Sequence, residues 1–248
     1  MQNRWLKVGV LVALSLRGLA AQAQQSVDLI MDNFTSSVLS QTTVLLNNNA
    51  VMAASRNAEA ERRAGRSSAG TAARRISLAY SPTAALQQQT VRNLGQQLQA
   101  RSPAAGQAFS NAFGPGKANY GQLFQEMVKQ SGLPANNAAT AFAAYVEVGY
   151  MIVNDVQSES AITPAMDRAL QRQMTSLLSQ NSKFASPTAV AQFGEATKLQ
   201  AIMLYVGWQD ARKSGQASQF RSNIAQQFRK QGLDLSLVKL TAQGLTKK

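Results

Sequence analysis

Apolar residues recur at helical spacing in one segment after another along the 248-residue chain. From Ser26 to about Ala54, a stripe of Val27, Ile30, Met31, Phe34, Val38 and Leu39 continues to Leu45 and Leu46. Asn47, Asn48 and Asn49 weaken its end, because asparagine competes with the helical backbone for hydrogen bonds. Ser81-Pro82 reads as a cap with proline in the first turn, ahead of the stripe Leu86, Val91, Leu94 and Leu98. Ser102-Pro103 ends that helix. Residues 103–117, rich in Gly, Ala and Pro, read as a loop anchored by Phe109 and Phe113.

Further along, Tyr120 to Lys129 predicts a short helix, and Asn136 or Asn137 caps a longer one to about Asp155. The broad apolar face of the latter, with Phe142, Tyr145, Val146 and Val153, predicts a central position. Thr163-Pro164 and Ser186-Pro187 open the next two helices. The second runs to Lys213, and its stretch Leu199 to Trp208 is apolar nearly all round, as in a helix enclosed by others. Gln216 to Lys230 is amphipathic, with Gly232 placed as its left-handed cap. The tail from Leu233 to Leu245 is expected as turns and a short helix, and no segment shows convincing strand periodicity. The expected fold is all-α: a bundle of five or six main helices, preceded by a separate N-terminal helix and a basic linker.

Two segments break the helical pattern. Arg4 and Lys7 precede an apolar run from Val8 to Leu16, and Ala21-Gln22-Ala23 follows, which is the layout of a secretory signal peptide over residues 1–23. Its apolar part is too short for a stable membrane span. Residues 24–54 then form the N-terminal helix, 55–75 an Arg-rich flexible linker, and 76–248 the bundle domain. The linker carries six arginines and no large apolar side chain, too little to offset the entropy of ordering. Within 76–80, Ile76-Ser77-Leu78-Ala79-Tyr80 is expected to pack on the bundle in extended form.

Composition narrows the chemistry. The chain has no Cys and no His, which removes thiol catalysis, cysteine metal sites and a Ser-His-Asp triad. No cofactor or metal is expected. Its net charge is +13; losing the leader would remove three cations and no acids.

The densest cationic feature is Arg56, Arg62, Arg63, Arg66, Arg74 and Arg75, a candidate contact for an anionic envelope surface. Nucleic acid is disfavoured, since no aromatic platform is interleaved. The ordinary alternative is a linker kept solvated by its charge. Glu147 and Glu195 each lie in an otherwise apolar helix, and two such carboxylates could act as acid and base on a glycosidic bond. The more ordinary reading leaves each one exposed on its helix surface or tied up in a structural hydrogen bond or ion pair, and Glu195 can pair with Lys198 three residues on. That neighbour favours a charged Lys198, the opposite of what a Schiff-base lysine needs.

Tyr145, Tyr150, Tyr205 and Trp208 are read first as core and second as a groove lining. Gly149, Gly194 and Gly207 inside helices predict close crossings. Phe113-Gly114-Pro115-Gly116-Lys117 lacks the spacing of a phosphate loop and reads as a turn.

Four stretches carry a resemblance: Leu78-Ala79-Tyr80-Ser81-Pro82; the Ala138–Tyr150 helix; LQAIMLYVGWQD from Leu199 to Asp210; and Gln231-Gly232-Leu233-Asp234 with Leu240-Thr241 and Gly244-Leu245. Over residues 76–245 the chain resembles an uncharacterised family of exported bacterial all-helical proteins, a domain of unknown function. The resemblance implies export and a helical fold, and brings no activity or catalytic residue.

Together these readings lead to an expectation of a periplasmic or secreted, non-enzymatic binding or structural protein that contacts an anionic surface or a protein partner. A glycan hydrolase using Glu147 and Glu195 is the alternative. The N-terminal helix offers a stripe through which two copies could associate.

Overall fold

The computed structural model describes residues 48–63 and 76–248. Helix α1 spans Asn48–Arg63, α2 Ala84–Arg101, α3 Pro103–Phe113 and α4 Tyr120–Val128. Helix α5 spans Ala138–Val153, α6 Pro164–Ser179, α7 Pro187–Lys213 and α8 Ala217–Lys230. A two-stranded antiparallel hairpin closes the chain, β1 over Val238–Thr241 and β2 over Gly244–Lys247. The fold is mostly all-α.

Helices α5 and α7 pack on each other at the centre and are the most deeply buried elements. At 27 residues, α7 is about 40 Å long and touches α2, α4, α5 and α8 along its length. Helix α6 covers α5 on another side, and α1 and the hairpin lie against α6. The Leu199–Trp208 stretch is buried throughout, as its all-round apolarity predicts. No helix among the described residues is long and apolar enough to cross a membrane.

Capping side chains set most helix starts. Asn137 Oδ1 accepts from Ala139 N at 2.9 Å and Thr140 N at 3.2 Å, and Ser186 Oγ accepts from Ala189 N at 3.4 Å. Gly232, at φ +88°, ends α8 in the left-handed region, where its N–H donates to Arg229 O and that of Leu233 to Phe228 O. Ser81-Pro82 is not the start of α2: Thr83 is its cap, with Oγ1 accepting from Leu86 N at 3.1 Å. Ser102-Pro103 does more than end that helix. Ser102 N–H donates to Leu98 O, and its Oγ accepts from Ala105 N, so one residue ends α2 and starts α3. The expected loop over 103–117 is therefore helical as far as Phe113, and Phe109, Ala112 and Phe113 bury its inner face.

Two further expectations change. The chain is helical from Asn48 to Arg63, so residues 55–63 continue a helix instead of forming a linker. That helix is not separate from the bundle: Val51 and Ala54 are fully buried, and Gln173 Nε2 on α6 donates to Val51 O at 2.7 Å. The expected signal peptide, the expected helix up to residue 47 and the expected linker from 64 to 75 lie outside the described residues.

The tail begins with the expected short helix, a single 3-10 turn at Leu235–Leu237, and then forms a hairpin that the sequence pattern does not predict. Val238 and Leu240 are buried while Lys239 is exposed, a two-residue alternation that one face of a strand satisfies. Gln173 holds it, with Nε2 donating to Leu245 O at 3.2 Å and Oε1 accepting from Leu245 N at 2.8 Å. Gly244 has φ +96°, and a Cβ there would lie 2.5 Å from Gln173 Oε1, so both backbone and space require glycine.

Candidate functional site

The Glu195–Lys198 pair sits at the buried meeting point of α7, α4, the start of α5 and the extended segment 76–80. Three residues apart on α7, the two side chains share one face, and Lys198 Nζ donates to Glu195 Oε1 at 2.6 Å. Both are essentially inaccessible, at 0% and 1% exposure. Tyr80 Oη donates to Glu195 Oε1 at 2.8 Å and Tyr120 Oη to Oε2 at 2.6 Å. Lys198 Nζ also donates to Asn136 Oδ1 at 2.7 Å and lies over the Tyr80 ring, 5.0 Å from its centroid.

Local structure brings these partners together. Residues 78–80 run extended beside the entrance to α5, with Tyr80 N–H donating to Asn136 O and Ala138 N–H to Leu78 O. This pins Tyr80 across α7 at Gly194, where a Cβ would come within 2.3 Å of the tyrosine ring. The glycine is a packing device, as is Gly149, whose Cβ would meet the Phe228 ring at 2.4 Å.

The electrostatics follow from burial and pairing. Burial acts most strongly on Glu195 and pushes its pKa up, but the hydrogen bonds and charge of Lys198, with the two tyrosines, outweigh it and hold the carboxyl below its ordinary value. Burial is likewise the largest influence on Lys198, and its pKa is lowered despite the opposing pull of Glu195. Glu195 favours the charged amine, as the spacing predicts, but burial outweighs it. Access decides its chemistry: Nζ is enclosed by Glu195, Asn136 and two aromatic rings. Burial and the neighbouring carboxylate push both Tyr80 and Tyr120 well above the usual phenol range, while the Thr90 hydroxyl acts weakly the other way on Tyr120.

Glu147 is buried on α5, nine residues beyond Ala138, or about 14 Å along the helix axis from the end that meets Lys198. Trp208 packs on Phe220 and Tyr145 stacks on Phe228, at 6.0 and 5.2 Å between centroids, so both belong to the core. Arg56 is exposed on α1, and Arg62 and Arg63 lie in its last turn. Arg66, Arg74 and Arg75 lie outside the described residues. Among the described residues, no three potential metal-ligating Asp or Glu side chains cluster.

A groove of about 300 Å³ opens between α2 and α7, beside the turn at residues 182–185. Gln89, Asn93 and Gln97 line it from α2, at successive four-residue steps. Gln192 and Gln200 face them from α7, eight residues apart. Leu94, Leu199, Phe184 and Phe193 supply buried apolar lining, and the exposed Lys183 is the one charged residue of the lining. Gln200 is 4% exposed, and its Oε1 has no hydrogen-bond partner among the described residues. Neither Glu195 nor Glu147 lines the groove, although Thr90, which does, hydrogen-bonds Tyr120 of the Glu195 network.

Sequence reasoning found the Glu195–Lys198 pair through its spacing. It missed Tyr80 and Tyr120 as partners, 115 and 75 residues away, and saw Asn136 only as a cap. It also missed the groove, since amide side chains on amphipathic helices look like ordinary solvated faces. A family model matches residues 4–247. The chain belongs to a family of unknown function (DUF6683). This DUF6683 match takes in residues 4–75 as well as the bundle, a wider span than the resemblance over 76–245. No curated protein and no solved structure matches the chain.

Proposed function

We propose that this DUF6683 protein is an exported, non-enzymatic binding protein of the bacterial envelope or medium, with the α2–α7 groove as its ligand site. One observation carries the reading: the groove is lined by amides and apolar side chains with no carboxylate, while Glu195 is closed inside the fold on three donors. A general acid must reach its substrate, and a carboxylate with its oxygens committed to two tyrosines and a lysine has no route to one. The hydrolase alternative has less support, because Glu147 and Glu195 occupy different stretches of the central helix pair. Export is supported by the charged, apolar and small-residue order of residues 1–23. The arginines beginning at Arg56 add an electrostatic attraction to anionic surfaces.

Two measurements test this. Fractionation with intact-mass analysis should recover the protein outside the cytoplasm, shortened by about its first 23 residues. Incubation with peptidoglycan or other envelope glycans should release no reducing ends. Release that Glu195→Gln abolishes would reverse the proposal.

A further inference from the structure

We propose that the α2–α7 groove binds a neutral saccharide; this rests on the reading of the groove as the ligand site. The lining chemistry selects the ligand. A primary amide carries two N–H donors and one carbonyl acceptor, and none of the five in the lining carries charge. Gln89, Asn93 and Gln97 form one row, and Gln192 with Gln200 forms the opposing one. A sugar ring presents hydroxyls around its edge, each both donor and acceptor, and C–H faces above and below. Two amide rows over an apolar bed of Leu94, Phe193 and Leu199 match both features. An anionic ligand would have only Lys183 to neutralise it, and a cationic one would meet no acid. A peptide is less well matched, because groove-bound peptides use deep apolar side-chain pockets or a free sheet edge, and neither lines this groove. The volume, about 300 Å³, lies at the small end for ligand sites and suits one or two rings.

Gln200 supplies the independent sign of a ligand. Its Oε1 is shut off from solvent with no partner among the described residues, a loss of stability that an apolar residue of similar size would avoid. A half-turn of the amide about its last bond would exchange that oxygen with the nitrogen, which is accessible at the lining. The only amide side chain in the stretch Leu199–Trp208 is therefore assigned to accept a ligand hydroxyl.

The test is a titration of the isotopically labelled protein, as cells accumulate it, following the Asn and Gln side-chain amide resonances. The probes are tri-N-acetylchitotriose, cellotriose and maltotriose, with acetylated trialanine amide as the peptide arm, each to about 10 mM. At least one saccharide should shift the amides of Gln89, Asn93 and Gln200, and the peptide should not. Gln200→Leu should weaken that binding at least roughly tenfold while leaving the thermal midpoint unchanged or higher. Asn93→Ala, at an exposed position, should weaken binding without changing the midpoint. If the peptide alone shifts these amides, the saccharide class is wrong and the groove remains a binding site. If no probe shifts them, both readings fall. Binding that survives Gln200→Leu undiminished refutes the role given to that side chain.

Discussion

Replacing Lys198 by methionine isolates what the buried ion pair does for the fold. Methionine fills nearly the same space, so the main change is loss of the cation that donates to Glu195 Oε1 and Asn136 Oδ1. Glu195 keeps its two tyrosine donors but loses the strongest influence opposing burial. Breaking a buried pair from one side typically costs about 3–5 kcal/mol. With a urea slope of about 2 kcal/mol per molar, the unfolding midpoint should drop by about 2 M at pH 7.

The pH dependence gives the sharper signature. In the native protein the folded Glu195 pKa lies below its ordinary 4.5, so its stabilising contribution is complete above that pH and is lost as pH falls through the lower folded value. In Lys198→Met the carboxyl, now dominated by burial, should have a folded pKa above 4.5. The folded state then holds a proton that the unfolded state releases, and stability declines as pH rises, by up to about 1.4 kcal/mol per unit. The variant should therefore lose more stability at pH 7 than at pH 5, measured by urea unfolding followed by circular dichroism at both pH values. Adding Glu195→Gln should recover at least half of the loss, because the uncompensated charge is gone. A loss at pH 7 below about 1 kcal/mol, or equal losses at the two pH values, would refute the argument.

Three further outcomes are expected. Gly194→Ala drives a methyl into the Tyr80 ring and should cost about 1–3 kcal/mol with a changed near-ultraviolet tyrosine signal; an unchanged thermal midpoint would show that Tyr80 is not held there. Gln173→Leu strands Val51 O and both backbone groups of Leu245, and should cost about 2–5 kcal/mol and speed proteolysis at Arg56, read by mass spectrometry of the fragments. Equal cleavage rates would mean that α1 is held elsewhere. Above about pH 10.5 the buried hydroxyls of Tyr80, Tyr120 and Tyr145 remain protonated in the fold while the unfolded chain ionises them. Stability should then fall by about 1.4 kcal/mol per pH unit for each tyrosine, and Tyr120→Phe should reduce that slope by one share.

The sequence by itself determined the helices and most of their ends. Apolar stripes and local caps such as Asn137, Thr163 and Ser186 act within a few residues, so their physics is written in adjacent positions. It also singled out α5 and α7 as central, because only enclosed helices can be apolar on every side. Short-range signals misled where one residue serves two elements, as Ser102 does, or where a partner distant in the chain decides. Val238–Thr241 is too short to declare itself a strand until β2 pairs with it and Gln173 receives it. Residues 55–63 read as linker by composition, yet continue a helix whose preceding turns, at Val51 and Ala54, are buried against the bundle.

Only the tertiary structure decided what surrounds Glu195 and Gln200. A carboxylate in an apolar helix can be a catalyst, a surface charge or a buried partner, and the choice depends on side chains brought from 75 and 115 residues away. Burial of a charge is a property of the whole assembly, since desolvation and compensating donors arise only when the helices close together.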